Sequence, residues 1–259
     1  MWRSAFVLTI IVGLSLLSPL LTDYDPLKTN TDQLNQPPSG EHLLGTDLLG
    51  RDVLSRLLYG GQRSLWVTAL AALVAVLPGL CLGLLAGWFG GWVDRGIMTA
   101  VHTLLAFPAL ILALICLTLL GRGTVPLALA TGLAQMAGYV SVVRTTVIGA
   151  RTQMYVEVAQ SVGAADGWIL MHHILPNVQG TVLAFAGVVF SYSLLNSAAL
   201  SFLGLGGEPG IPDWGVMLAE SRMAFRAAPW VSIAPGLAIM LTVMAVNRLA
   251  DQVGRPPRP

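Results

Sequence analysis

Between Arg63 and Asp94 the sequence reads SLWVTALAALVAVLPGLCLGLLAGWFGGWV, thirty consecutive residues without a charged side chain. A helix needs about 20 mostly apolar residues to cross the hydrocarbon core of a bilayer. Backbone amides inside that core find no water, so a stretch of this kind satisfies its hydrogen bonds by forming a helix. The stretch therefore predicts a membrane-spanning helix at 65–88.

Five further uncharged intervals lie on either side of this stretch and are long enough to cross a bilayer. They predict spans at roughly 5–22, 98–120, 124–143, 180–202 and 230–249. Gly79, Gly83 and Gly87 recur every four residues in the second span, and small residues at this spacing allow close helix contacts in lipid. The predicted fold class is all-α, a polytopic membrane protein with about six transmembrane helices.

The composition agrees with this class. Hydrophobic residues make up 55% of the 259 residues and charged residues only 10%, against roughly a quarter in soluble domains. The net charge is +1, and Lys28 is the single lysine, which excludes a basic nucleic-acid-binding protein. Cys81 and Cys116 lie in apolar runs, where we expect small buried side chains and neither a disulfide nor a metal site.

The first apolar stretch has a second interpretation as a cleaved signal peptide, because Arg3 precedes it. No small-x-small cleavage site precedes Asp23, and the apolar run continues to Leu21, which favours an uncleaved helix. Lysine and arginine divide evenly between the two sides if both termini are cytosolic. The charge distribution therefore does not decide the orientation.

The hydrophilic segment 23–63 contains the run LLGTDLLGRDVLSR at 43–56. Leucine and valine recur there with helical spacing, and Thr46 or Asp47 can cap the helix. The pattern predicts an amphipathic helix in the membrane interface with an exposed polar face. That face carries Arg51, Asp52, Ser55 and Arg56, with Asp47–Arg51 and Asp52–Arg56 as ion pairs one turn apart.

The hydrophilic segment 144–179 is the largest polar stretch between two predicted spans. Residues 157–162 suit a helix, and Gly163 and Gly167 are expected to break it. Pro176 is placed to open the next helix, where its missing N–H costs nothing. Small residues between polar helices suggest a surface for another protein, and an ordinary solvated loop remains the alternative.

The third hydrophilic segment, 203–229, is rich in turn-forming residues, and its Trp214, together with Trp230, suits the membrane interface. The sequence contains no Gly-x-x-x-x-Gly-Lys-Ser/Thr, no His-Glu-x-x-His and no Gly-x-Ser-x-Gly motif, so we expect no P-loop ATPase and no catalytic or metal site. His102 fits an interfacial histidine better than a ligand, and the adjacent His172 and His173 form a weak metal motif.

Three separated motifs resemble the second ("C-type") permease of the dipeptide/oligopeptide/nickel family of ABC importers. The loop Glu157-Val-Ala159-x3-Gly163 followed by Leu175-Pro176 is similar to the Glu-Ala-Ala…Gly…Leu-Pro loop of these permeases, from which Val158 and His173 depart. The runs at 43–56 and 200–215 resemble the same subfamily. His102 stands where relatives often carry Asp, which puts an ion pair there in doubt.

The resemblance implies two sets of functional residues. The ATPase-coupling loop, with a coupling helix at about 163–171, comprises Glu157, Ala159, Gly163, Ala164, Asp166, Gly167, Leu175 and Pro176. The external family motif comprises Gly45, Thr46, Asp47, Gly50, Arg51, Asp52, Ser55 and Arg56.

The resemblance also implies the organisation of a type I ABC importer permease in the bacterial cytoplasmic (inner) membrane. The first helix is 1–22, the external loop with its interfacial helix is 23–63, the five-helix core with the cytosolic coupling loop 144–179 is 64–250, and the cytosolic tail is 251–259. The implied partners are a second permease, two ABC ATPases that bind ATP and Mg, and an extracytoplasmic binding protein. The chain itself binds no cofactor, and the cargo is a peptide, nickel or a metal chelate.

Two other classes remain as alternatives. An ATP-independent secondary transporter or channel is expected to show inverted repeats, interrupted helices or a buried ionisable residue in a span. No convincing repeat is visible, although Pro78 and Pro108 leave helix interruptions open. An intramembrane enzyme ranks third, because the sequence offers no nucleophile or metal set.

Overall fold

The computed structural model describes residues 2–206 and 211–254. Residues 207–210 of the predicted external segment 203–229 and residues 255–259 of the predicted tail 251–259 fall outside these ranges. The α-helices in chain order are α1 (Trp2–Leu16), α2 (Ser18–Leu21), α3 (Val53–Phe89), α4 (Gly91–Leu105), α5 (Ala109–Leu120), α6 (Thr124–Arg151), α7 (Met154–Ser161), α8 (Asp166–Ile169), α9 (Leu175–Phe202), α10 (Trp214–Glu220) and α11 (Trp230–Val253). Short 3₁₀ turns lie at Thr31–Gln33 and Ser221–Met223, and a π-helical segment at Leu170–Ile174.

Within residues 2–206 and 211–254, four helices are long and apolar enough to cross a membrane: α3, α6, α11 and the continuous helix Asp166–Phe202. The pair α4 and α5 is a fifth candidate, and α1 is a shorter apolar helix. These elements correspond to the six predicted spans, and the all-α membrane fold class is confirmed.

The predicted straight span at 98–120 is wrong in detail, because α4 and α5 meet at an angle of 92°. Pro108 lies at the break with ψ 133° and caps α5. Proline has no N–H and disfavours helical backbone in the preceding residue, so it separates two helices here. Helix α5 has 12 residues and is about 18 Å long, which is shorter than the hydrocarbon core.

Helices α3 and α6 form the centre of the bundle through the predicted glycine seam. A Cβ added at Gly83 would lie 2.5 Å from Cβ of Val143, and one added at Gly87 would lie 2.7 Å from Cβ of Val147. The helix backbones therefore approach to a distance that no larger side chain permits. The predicted role of these glycines in close packing is confirmed.

Trp214 belongs to a second core between the start of α3 and helices α9, α10 and α11. It is 2% exposed, and its indole N–H donates to the Leu57 carbonyl at 3.0 Å. Gly61 makes room for the ring, since a Cβ there would lie 2.9 Å from it. Trp214 is therefore buried in the protein, where a backbone carbonyl satisfies its N–H, and its position at the membrane interface stays a prediction.

Both cysteines are free thiols; Cys81 is exposed on α3 and Cys116 is half-buried. The expectation that both are buried inside the protein is wrong. The same face of α3 exposes Leu73, Leu77 and Leu85. An apolar sequence context predicts contact with lipid as well as burial in a core, and periodicity alone does not separate the two.

Candidate functional site

The segment between α6 and α9 folds as α7, a turn at 162–165, α8 and the π-helical segment. Gly163 ends α7 with φ +80°. Its N–H donates to the Gln160 carbonyl at 3.0 Å, and the N–H of Ala164 donates to the Ala159 carbonyl at 3.1 Å. A left-handed residue in this position is the usual way for a helix to end, and glycine adopts it without steric cost.

The inner face of this segment is anchored in the bundle. Val156, Ala159, Ile169 and Ile174 are buried in one cluster with Trp88 and Val147. Two buried residues in α7 and two in the following helix fix the segment as a folded element. This packing excludes a mobile loop, and the alternative of a solvated segment without a partner is decided by the outer face.

The outer face of the same segment is apolar and exposed. Met154 and Val162 are each 79% exposed, and three further side chains are more than 45% exposed. We call these five residues the coupling surface: Met154, Val158, Val162, Trp168 and Met171. Met154, Val158 and Val162 precede the candidate span Asp166–Phe202. Trp168 and Met171 lie in the polar first turns of that helix, beside His172 and His173 and before its hydrophobic stretch, so lipid tails do not explain their exposure.

An aromatic stack shapes this surface. The rings of Trp168 and His172 are stacked with centroids 4.9 Å apart, and His173 meets the same indole edge-on at 4.9 Å. Nδ1 of His172 lies 3.1 Å from the Trp168 carbonyl oxygen. Within residues 2–206 and 211–254, no three His, Cys, Asp or Glu side chains form a possible metal site.

The structure distributes the predicted coupling residues over both faces. Ala159 is buried, and Ala164 and Leu175 are half-buried. The exposed members are Glu157, Gly163, Asp166, Gly167 and Pro176.

The predicted break at Gly167 is wrong, because this residue lies within the first turn of α8. The helix predicted at about 163–171 begins at Asp166, later than expected, and continues through the π-helical segment into α9. The Leu175 N–H donates to the Leu170 carbonyl. Because Pro176 lacks an N–H and its ring excludes a close i−4 carbonyl, the preceding turn widens without breaking.

Asp94 and Arg144 form a bidentate ion pair that joins α4 to α6 near the same end of the bundle. His102 is exposed on α4. The carboxylate that pairs with an arginine in this part of the chain is therefore Asp94, which lies eight residues, or about two helical turns, before His102.

The external family motif is folded differently from the prediction. Residues 45–52 form a compact loop with Gly45 and Gly50 in left-handed conformations, and Asp52 caps α3 by accepting the Ser55 N–H at 2.7 Å. From Val53 the helix runs without interruption to Phe89. No separate amphipathic helix begins at Thr46 or Asp47.

The predicted exposed face of this motif is buried in an ionic cluster. Arg51 Nε lies 2.7 Å from Asp47, which confirms that pair, and one nitrogen of Arg51 and one of Arg56 each lie 2.6 Å from Oε2 of Glu220. Arg56 is 1% exposed, and its Nε lies 3.5 Å from Asp47.

The predicted Asp52–Arg56 pair is wrong, since Asp52 instead lies 2.9 Å from Nδ1 of His42. Glu220 was missed because it is 164 residues from Arg56, and helical periodicity detects only neighbours within a few turns. The available signal was a carboxylate within the third hydrophilic segment.

A family model described as the binding-protein-dependent transport system inner membrane component matches residues 79–257. The chain belongs to this family. It is 35% identical to the dipeptide transport system permease protein DppC of Alkalihalophilus pseudofirmus, over 96% of this chain and 87% of that one. It is 39% identical to the glutathione transport system permease protein GsiD of Pectobacterium atrosepticum, over 95% and 82% of the two chains.

A third relative is the di/tripeptide transport system permease protein DppC of Pseudomonas aeruginosa, 36% identical over 93% of this chain and 82% of that one. Among solved structures, a chain of the inward-facing MetNI methionine ABC transporter aligns with a TM-score of 0.56 and 18% identity, covering 77% of this permease and 97% of that chain. At this identity the match shows a shared fold. The predicted family and its type I importer permease fold are confirmed.

Proposed function

We propose that this permease is one of the two membrane subunits of an ATP-driven importer of short peptides in the bacterial cytoplasmic membrane. The relatives support the cargo class, since their names specify dipeptides, di/tripeptides and glutathione. Nickel or a metal chelate stays the second candidate cargo, on the subfamily resemblance alone. The chain acts as a transport subunit and performs no chemistry itself.

The coupling surface is the observation that carries this proposal. Exposed apolar side chains on an anchored element outside the spans favour a protein partner. The partner we propose is an ABC ATPase, which binds ATP and Mg, so that this chain needs no cofactor. Coupling requires the ATPase to bind the two permease conformations with different affinity, since equal affinity shifts no equilibrium.

The proposed topology follows from this assignment. Both termini and residues 144–179 face the cytosol, and residues 23–63 and 203–229 face outward. The outward segments meet the substrate-binding protein. A second permease completes the translocation path along the predicted spans two to five.

Reconstitution in liposomes tests the proposal. We expect uptake of alanyl-alanine that depends on ATP and on the complete set of two permeases, two ATPases and binding protein, and no uptake by this chain alone. Uptake by the isolated chain under an ion gradient would favour the secondary-transporter alternative. ATP-dependent uptake of nickel without any peptide uptake would replace the proposed cargo.

A further inference from the structure

A cavity of about 970 Å³ lies between α1, α3 and α9. Residues of the segments 23–52 and 211–229 also line it. Pro26, Leu27, Ile211 and Pro212 from these segments line one part of it, and Leu8 of α1 lies in another part. Leu8 precedes the lining residue Ser15 by seven positions, which places the two about 10 Å apart along α1. The cavity therefore extends from the segments outside the spans into the helix bundle, and its volume is typical of a small-molecule site.

Arg63 of α3 brings a positive charge to this mostly apolar cavity. Its Nη2 is buried and has no hydrogen-bond partner in the part of the chain that the structure describes. Among the same residues, no carboxylate oxygen lies within 4.0 Å of this side chain. Buried charged nitrogens normally have partners, so this one retains capacity for an anion.

Arg56 provides a contrast on the same helix. It lies seven residues, or about two turns, before Arg63 on nearly the same face. Its guanidinium is neutralised by Glu220 at 2.6 Å and Asp47 at 3.5 Å. Among the described residues, the fold thus supplies counter-charges to Arg56 and none within 4.0 Å to Arg63, which lines the cavity.

Asp213 is the nearby carboxylate to consider as an internal partner of Arg63. It caps α10 by accepting the Val216 N–H at 2.9 Å, and hydrogen bonds from Ser201 and Gly215 also reach it. Burial raises the pKa of Asp213, and the charge of Arg63 opposes that rise only as a lesser cause. The hydrogen bonds from Ser201, Gly215 and Val216 therefore satisfy the Asp213 carboxylate, and Arg63 contributes only a longer-range electrostatic interaction.

We infer that Arg63 binds the carboxylate of a short peptide that enters the cavity during transport, an inference that rests on the proposed peptide-import function. A guanidinium donates two parallel hydrogen bonds to a carboxylate, which gives the contact both strength and orientation. The apolar walls accept side chains of different size without specific contacts. Such a site recognises the end of a peptide and tolerates its sequence.

Uptake of alanyl-alanine and of alanyl-alanine amide by the complete importer tests this inference. The binding protein selects between the acid and the amide in the same way for every permease variant, so a change in the acid-to-amide uptake ratio reports on the permease. We expect Arg63→Gln to lower this ratio by about tenfold or more, as the loss of a charge-assisted hydrogen bond predicts. Arg63→Lys keeps the charge but not the paired donors, and we expect a smaller decrease.

Arg122→Gln is the matched control, because Arg122 is exposed and lies two residues before the cavity residue Thr124; it should keep the wild-type ratio. An unchanged acid-to-amide ratio in Arg63→Gln would overturn the inference. If both uptakes fall by the same factor, Arg63 has a structural role; if neither falls, it has no role in transport. If Arg63→Gln does not assemble with the ATPases, an unchanged ratio in Arg63→Lys has the same consequence.

Two further outcomes would also overturn it. A lowered ratio in Glu208→Gln equal to that of Arg63→Gln would make Arg63 part of an internal ion pair; Glu208 lies outside the described residues, three positions before Ile211. A phospholipid that co-purifies with the wild type and is lost in Arg63→Gln, with the ratio unchanged, would assign the cavity to lipid. Absence of any peptide uptake by the wild type would instead contradict the proposed function.

Discussion

At the scale of single residues, Arg56 shows how a distant partner changes the meaning of a local pattern. The run Asp47–Arg56 has the spacing of a polar helix face, yet Arg56 is almost completely buried. Glu220 makes this burial possible, because its Oε2 accepts hydrogen bonds from the guanidinium groups of both Arg51 and Arg56 at 2.6 Å. The cluster joins the start of α3 to the end of α10.

Removal of the shared carboxylate should therefore destabilise the permease. Glu220→Gln leaves two buried arginines with Asp47 as their nearest counter-charge, and breaking a buried ion pair on one side costs about 3–5 kcal/mol. We expect a lower thermal unfolding midpoint in detergent. Glu41→Gln is the control, because Glu41 is exposed; equal midpoints for both variants would show that the cluster does not stabilise the fold.

Substitution of Gly163 distinguishes a role in ATPase coupling from a role in folding. A leucine there meets nothing within 4 Å but must adopt φ +80°, which costs about 1–2 kcal/mol, and it adds bulk beside the coupling surface. We expect Gly163→Leu and Glu157→Lys to reach normal membrane levels, to bind the ATPases more weakly and to lose uptake by roughly tenfold or more.

Gly149→Leu is the matched control for this experiment, since Gly149 is exposed near the end of α6 and a side chain there also meets nothing within 4 Å. It should transport normally. Wild-type transport by Gly163→Leu and Glu157→Lys in assembled importers would show that the segment is an ordinary solvated loop.

At the scale of elements, the two central helices depend on close backbone contact. Gly83→Ala places a methyl group 2.5 Å from Val143, and overpacking of this kind costs about 1–3 kcal/mol. Gly138→Ala on α6 meets nothing within 4 Å and gains helix propensity. We expect a lower unfolding midpoint for the first variant only; if both midpoints rise, the α3–α6 contact tolerates more bulk than the structure indicates.

The elements also show which features the sequence could predict. Spans were predictable because hydrophobic stretches between charges are local, and the glycine seam because every fourth residue returns to one helix face. The bend at Pro108 and the continuous helix through Gly167 were not, since the surrounding packing decides whether proline or glycine ends a helix. Glu220, the shared partner of Arg51 and Arg56, and the partners of Trp214 lie 150 to 169 residues away in the chain, beyond any periodic pattern.

At the scale of the whole molecule, the permease has two chemically different ends. One end carries the ionic cluster, the compact loop 45–52 and the cavity with Arg63. The other carries the anchored segment 152–174 with its exposed apolar face. An importer that couples ATP hydrolysis to transport needs different partners at its two ends, and this asymmetry supports the proposed orientation.

Site-specific cross-linking tests this orientation and the coupling surface together. In assembled importers with Cys81→Ser and Cys116→Ser, a cysteine replaces either Val162 at the coupling surface or Met223, which is 90% exposed at the opposite end. A bifunctional maleimide should join Val162→Cys to the ATPase and should leave Met223→Cys unlinked to it. Cross-linking of the ATPase through Met223→Cys, or none through Val162→Cys in an intact assembly, would contradict the coupling assignment.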